Sequence, residues 1–310
     1  MKKIKSFLVH RNFIFSLALF LGLFFGEWAK FTKWGVLPAL AVVMTVSTLG
    51  VPKGFFRINR SMALPIIVGL LMNFVIHSGV LIGLGTLLVS DKILWSGIVL
   101  VAAVPPAVAI IPFTGLLGGD TSFSLMATIG GYLCGLLLTP ILCLLFLGTA
   151  VINPGKVLLI LLLLVVGPII ASQILVRLKM DSPILPYKGP ITNWGFFVVI
   201  YSIIGLNRGI FFSSPKDILP LFAISFSATF LLGGAIDLVS RFLGIERSRG
   251  ISIKLLGTLK NAGTAAGIAL VLFGKTAALP AAILTTFMIV YFMWLSLTKG
   301  RKIGIETLAK

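Results

Sequence analysis

Lys260 stands near the middle of LLGTLKNAGTAAGIAL, Leu255 to Leu270, with no other charge in that stretch. A charged side chain at the centre of a bilayer costs roughly 2.5 to 3.5 kcal/mol on insertion scales, so something there must hold it. Gly257, Asn261, Gly263 and Gly267 surround the lysine and loosen any helix that carries it. A second loosened stretch is VPPAVAIIPFTGLLGGD, where Pro105, Pro106 and Pro112 donate no backbone hydrogen bond and the apolar run stops at Gly118-Gly119-Asp120. Breaks of this kind expose the N-terminal ends of half-helices, whose unpaired N–H groups and positive partial charge receive anions. Backbone near Pro112, Phe113 and Thr114, and near Ala262, Gly263 and Thr264, is therefore expected to take a carboxylate, with Lys260 adding to the attraction. His77 lies four residues after Asn73, so the two share a helix face. It reads either as a second proton-handling group facing the substrate or as a hydrogen-bonded packing residue.

The elements that must position these groups follow from composition. The 310 residues are 58% hydrophobic and only 11% charged, with a mean hydropathy of +1.13, whereas a soluble domain carries about a quarter charged residues. An all-α integral membrane protein is the class that remains. Apolar windows of spanning length fall near 13–30, 34–51, 62–89, 93–117, 121–148, 155–176, 190–208, 217–243, 249–274 and 277–298, which predicts ten transmembrane helices. Lys and Arg gather in alternate connections: Lys2, Lys3, Lys5 and Arg11; Lys53, Arg57 and Arg60; Arg177, Lys179 and Lys188; Arg241, Arg247, Arg249 and Lys254; Lys299, Arg301, Lys302 and Lys310. That bias places both termini in the cytoplasm, for a multi-pass protein of the cell inner membrane. It also accounts for the net charge of +18 without a nucleic-acid partner.

The basic flank before the first window reads as part of a retained first helix rather than a cleaved signal. Cys134 and Cys143 sit nine residues apart on one window and face different directions, so they are expected to be buried thiols that do not pair. Asp237 and Arg241, four apart, are expected to form a local ion pair. The sequence holds no HExxH, no GxSxG and no pair of intramembrane aspartates, so no hydrolytic centre can be assembled, and no cofactor or metal is expected.

One loosened stretch falls in the fourth window and the other in the ninth. These are equivalent places if two five-helix halves repeat, and an odd number of spans gives such halves opposite orientation. Paired interrupted helices in two inverted repeats point to the binding site of a secondary transporter. A channel or sensor on the same scaffold is the competing reading.

These features resemble the bile acid/sodium symporters over nearly the whole chain. The resemblance rests on the length, the ten windows, the Pro-rich fourth window running through Gly118-Gly119-Asp120 to Ser124 and Thr128, and LKNAGTAAG in the ninth. It implies crossing broken helices 4 and 9 and a core domain near 62–148 and 217–298. A panel domain near 13–51 and 155–208 would complete the unit, with substrate in the cleft between the two. In that family the ninth span carries an acidic residue, three others, then Gln-Asn-x-Gly; the matching run here is Leu256-Gly257-Thr258-Leu259-Lys260-Asn261-Ala262-Gly263. The family's acidic residue and Gln, with a Ser-Asn pair of the fourth span, bind two sodium ions; at those places this chain has Leu256, Lys260, Ile110 and Ile111. A two-residue gap would bring Lys254 to the acidic position, which also supplies no carboxylate. The family's third-span Gln falls on Asn73, and the hydroxyls of Ser124 and Thr128 are retained.

A buried ammonium beside the site repels sodium, which wants several oxygen ligands. The resemblance therefore implies that Lys260 takes the place of sodium, holding the crossing through Asn73, Ser124, Thr128 and backbone carbonyls, with Asn261 beside it. Transport of a small organic anion, a carboxylate or a bile-acid-like molecule, would then run without sodium by alternating access. The alternatives are a lysine that releases its proton and couples substrate to it, a lysine that merely snorkels into a water-filled cavity, and ordinary sodium symport.

Overall fold

A computed structural model describes residues 11–49, 62–107, 109–148, 153–213 and 215–308. Lys2, Lys3, Lys5, Lys53, Arg57, Arg60 and Lys310, part of the charge pattern behind the expected orientation, lie outside those residues, as do the side chains of Arg11, Pro112, Lys299, Arg301 and Lys302.

Every helix-length element among the described residues is helical, and short loops or extended breaks join them. Helix α1 (Arg11–Phe24) turns through a corner of one-turn pieces, Gly26–Trp28, Ala29–Thr32 and Lys33–Gly35, into α2 (Val36–Thr48). Helices α3 (Ala63–Leu70) and α4 (Ser78–Leu88) are joined by a π-helical segment, Leu71–His77. Next come α5 (Lys92–Ala103), α6 (Ile110–Leu116) and α7 (Thr121–Leu147). Helices α8 (Pro154–Leu161) and α9 (Gly167–Arg177) flank a second π-helical segment, Leu162–Val166, and α10 is Lys188–Ser213. A third such segment, Ser227–Leu231, links α11 (Pro215–Phe226) to α12 (Leu232–Phe242). Helices α13 (Arg247–Thr258), α14 (Ala262–Leu272) and α15 (Lys275–Leu308) complete the order.

The expectation of ten membrane-spanning helices is corrected by these elements. Among the described residues six helices are long and apolar enough to cross a membrane: Gly26–Val46, Ala63–Leu88, Thr121–Leu147, Leu185–Leu206, Ile218–Phe242 and Lys275–Thr298. The described residues form an all-α bundle, with no explicit pair of inverted five-helix repeats and no core-and-panel division among them. Apolar windows count residues; a span also needs one continuous hydrogen-bonded helix. The fourth window is divided between α5 and α6 and the ninth between α13 and α14, and a 12-residue piece such as α5 reaches only about 18 Å against roughly 30 Å of hydrocarbon. The first two windows are divided differently, with a short Phe13–Phe24 helix and the longer Gly26–Val46.

The divided pieces occupy the middle of the bundle. Residues 96–106 and 254–269 are buried without interruption. A helix buried on every side needs small residues where backbones approach, and Gly97 shows why: a Cβ there would lie 2.1 Å from the backbone oxygen of Ala277 on α15. Helix α7 is laid against the first break in the same way, because a Cβ on Gly131 would come within 2.7 Å of the Pro106 ring.

Asp237 on α12 pairs with Lys254 on α13, not with Arg241 as its spacing predicts. The lysine side chain is only 4% exposed. Asp237 is itself 38% exposed, but losing its carboxylate strands the buried ammonium, so Asp237→Asn is expected to cost about 2 kcal/mol. Unfolding in detergent should show that loss, and adding Lys254→Met should recover most of it. Cys134 and Cys143 are both free thiols, the second fully buried.

Candidate functional site

Helix α5 stops at Ala103 because Pro105 and Pro106 cannot continue its hydrogen-bond ladder. Its last carbonyls are left without intrahelical donors. Thr139 Oγ1 of α7 donates to Ala103 O at 2.8 Å, and Ser78 Oγ of α4 donates to Ala102 O at 2.6 Å. The chain then runs extended from Val104, and a matching extended stretch follows α13 at Leu259. These two breaks cross antiparallel, with Pro106 opposite Lys260. Ala107 N donates to Leu259 O at 3.1 Å and Asn261 N to Pro105 O at 2.9 Å, so each break satisfies part of the other's backbone.

Lys260 enters from the centre of this crossing and caps α5. Its Nζ donates to Ala102 O at 2.6 Å, to Val104 O at 3.1 Å and to Asn73 Oδ1 at 3.1 Å. An ammonium has three donors, and all three are used. The face of Phe74 lies beside it, 5.1 Å from Nζ to the ring centroid. Hydrogen bonds to a charged group contribute about 1.5–3 kcal/mol each, and a desolvated cation–π contact about 2. The negative end of the α5 dipole points at the same cation. Together these offset the roughly 3 kcal/mol of placing a charge in hydrocarbon, and the residue is 1% exposed.

The other sequence-predicted residues form smaller groups, and Ser124 and Thr128, expected to hold Lys260, are not among its hydrogen-bond partners. Thr114 donates to Ile110 O at 2.7 Å, so the 2.8 Å contact between Thr114 and Ser124 must carry the Ser124 hydrogen; it fastens α6 to α7. Asn261 is the N-cap of α14: its Oδ1 accepts from Thr264 N at 3.3 Å while its Nδ2 donates to Tyr132 OH at 2.7 Å. Phe113 stacks on Phe292 of α15 with centroids 3.7 Å apart. Pro112 lies within α6. Ala262 and Gly263 form the first turn of α14, and a Cβ on Gly263 would lie 2.8 Å from Leu40 Cδ2. Thr128 Oγ1, Thr264 Oγ1, Asn73 Nδ2 and both ring nitrogens of His77 are buried without a hydrogen-bond partner among the described residues. Ile110 and Leu256 are fully buried apolar side chains. No group of three or more His, Cys, Asp or Glu among the described residues could hold a metal ion.

Sequence reasoning missed Ser78, Thr139, Phe74 and Tyr132. One signal was there to be read. Ser124, Thr128, Tyr132 and Thr139 fall close to a single stripe of α7, and all four are buried on a 27-residue helix whose other polar residues, Thr121 and Ser122, lie exposed in its first turn. Phe74 and Ser78 carry no such mark, because an aromatic or a serine in an apolar helix is ordinary.

A model of the SBF-like CPA transporter family matches residues 7–297. No curated protein matches the chain significantly. The family match spans both breaks and the lysine between them, and it brings similarity to bile-acid-symporter-like proteins over most of the chain. This is a multi-pass membrane transporter with helices of the alternating-access type rather than an enzyme. The chain belongs to the SBF-like CPA transporter family.

Proposed function

We propose that the protein is a secondary transporter of a small organic anion that works without sodium, the Lys260 ammonium standing where the bile acid/sodium symporters that its sequence resembles would bind the ion. The observation that carries this reading is the complete satisfaction of Lys260 by Asn73 Oδ1 and the carbonyls of Ala102 and Val104. A cluster of neutral oxygens around a single positive charge is what a sodium site consists of, and here the charge is covalently attached. The crossing stays assembled in every ionic condition.

The anion is assigned to the N-terminal end of α14. That end carries a positive partial charge, and Thr264 holds there a buried hydroxyl with no partner among the described residues. Lys260, one residue before the Asn261 cap, adds its field. The basic residues at both chain ends, Lys2, Lys3, Lys5 and Arg11 and then Lys299, Arg301, Lys302 and Lys310, support an inner-membrane protein with both termini in the cytoplasm. Proton coupling through Lys260 is the second reading, favoured by buried His77, whose two ring nitrogens have no partner among the described residues.

The test is a thermal-shift screen of mono- and dicarboxylates on purified protein, followed by uptake of any stabilising compound into proteoliposomes. Saturable uptake that competes with unlabelled compound and persists when choline replaces sodium is expected. Uptake that ceases without sodium sinks the reading, and single-channel currents would replace a carrier with a channel. An imposed pH gradient that drives uptake selects the proton-coupled form.

A further inference from the structure

The corner between α1 and α2 has two faces of different character. One face is fixed to α10 by close contacts. A Cβ on Gly26 would lie 2.6 Å from Gly205 Cα, so the two backbones touch. Tyr201 OH donates to Phe25 O at 3.0 Å, the Thr32 and Ser202 hydroxyls are 2.7 Å apart, and Arg208 pairs with Glu27 at 3.0 Å. The corner therefore cannot roll to hide its other face.

That other face presents Trp28, Phe31 and Trp34, exposed by 68%, 64% and 78%. Lys30 and Lys33 lie among them, with Nζ 5.1 Å from the Phe31 ring centroid and 4.9 Å from that of Trp34. Neither lysine pairs with a carboxylate among the described residues, and the one acidic side chain of the corner, Glu27, is already held by Arg208. Two uncompensated cations thus stand on a plane of aromatic rings. Along α1, and at the residue that follows it, the exposed rings of Phe20, Phe24 and Phe25 continue the apolar surface away from the charges.

Aromatic rings with a polar edge settle at the level of lipid headgroups, and lysine ammoniums there attract anionic lipid. We propose that this corner is a binding site for the phosphate of an anionic phospholipid, with the acyl chains lying along Phe20, Phe24 and Phe25. A soluble anion would find the two charges but would leave the apolar surface unused. The lipid uses both, and by binding across the fixed corner it ties the α1–α10 contact to the membrane surface.

The test compares melting of purified protein in an uncharged detergent during titration with dioleoylphosphatidylglycerol, with dioleoylphosphatidylcholine and with inorganic phosphate. Wild type is expected to be stabilised by phosphatidylglycerol alone. In the Lys30→Gln/Lys33→Gln double variant the lipid concentration for half-maximal shift should rise about 30-fold, each lysine near the surface contributing roughly fivefold. Lys92→Gln/Lys156→Gln, which removes the same charge from two exposed sites elsewhere, should leave the titration unchanged. Equal loss in both double variants would reduce the effect to net charge and overturn the assignment. A shift that survives Lys30→Gln/Lys33→Gln, or is reproduced by phosphatidylcholine or by phosphate alone, would also overturn it.

Discussion

Lys260→Met is expected to destabilise the protein by about 3 kcal/mol, although it replaces a buried charge with an apolar side chain of nearly the same length. The loss comes from what the lysine leaves behind. Asn73 Oδ1 and Val104 O give up the donor recorded for each, while Ala102 O keeps the Ser78 hydroxyl. A buried acceptor stranded in this way costs about 1–3 kcal/mol. Unfolding in mixed micelles should report the loss. Asn73→Leu should cost less in the Lys260→Met background than in wild type, because the two side chains are bonded to each other. Lys260→Gln retains two N–H donors and should recover part of the stability. If Lys260→Met proves neutral, the ammonium is solvated by water rather than bound by the crossing.

Gly97→Ala should be at least as damaging, through packing alone. The added methyl would meet Ala277 O at 2.1 Å and the Pro280 ring at 3.0 Å. Backbone oxygen cannot rotate away, so α5 and α15 must separate by about an ångström, and a loss above roughly 3 kcal/mol follows. Because α5 ends in the carbonyls that hold Lys260, the displacement also opens the crossing. Gly83→Ala on α4 is the control. A Cβ there meets nothing within 4 Å, so the helix should gain about 0.5–1 kcal/mol from the alanine. Equal melting temperatures for Gly97→Ala and wild type would mean that the two helices are not in contact in the folded protein.

How much of this could be read from the sequence depended on whether the signal was local. Pro105, Pro106 and the glycines around Lys260 announce broken helices, since proline lacks a donor wherever it sits. The chemistry of an isolated intramembrane lysine is equally local, and it named the residue at the centre of the crossing. Span counting failed because hydropathy sums over residues that a break divides between two short helices: α5 and α14 are as apolar as a span and far shorter. The π-helical segment Leu71–His77 left no trace either. It changes the angular spacing on which the shared face of Asn73 and His77 was argued. Partners of Lys260 such as Ala102 O and Val104 O are backbone atoms and carry no sequence mark; they become acceptors only because α5 ends there.

In the proposed function, a fixed ammonium does the work of a bound sodium ion. The most direct test of that substitution is the melting temperature of wild type and Lys260→Gln in sodium chloride and in choline chloride at equal ionic strength. A sodium ion that binds only the folded state would raise stability as its concentration passes the dissociation constant. Wild type is expected to melt at the same temperature in both salts, and Lys260→Gln to melt lower than wild type. A sodium-specific rise in wild type would contradict this and return the protein to ordinary sodium symport.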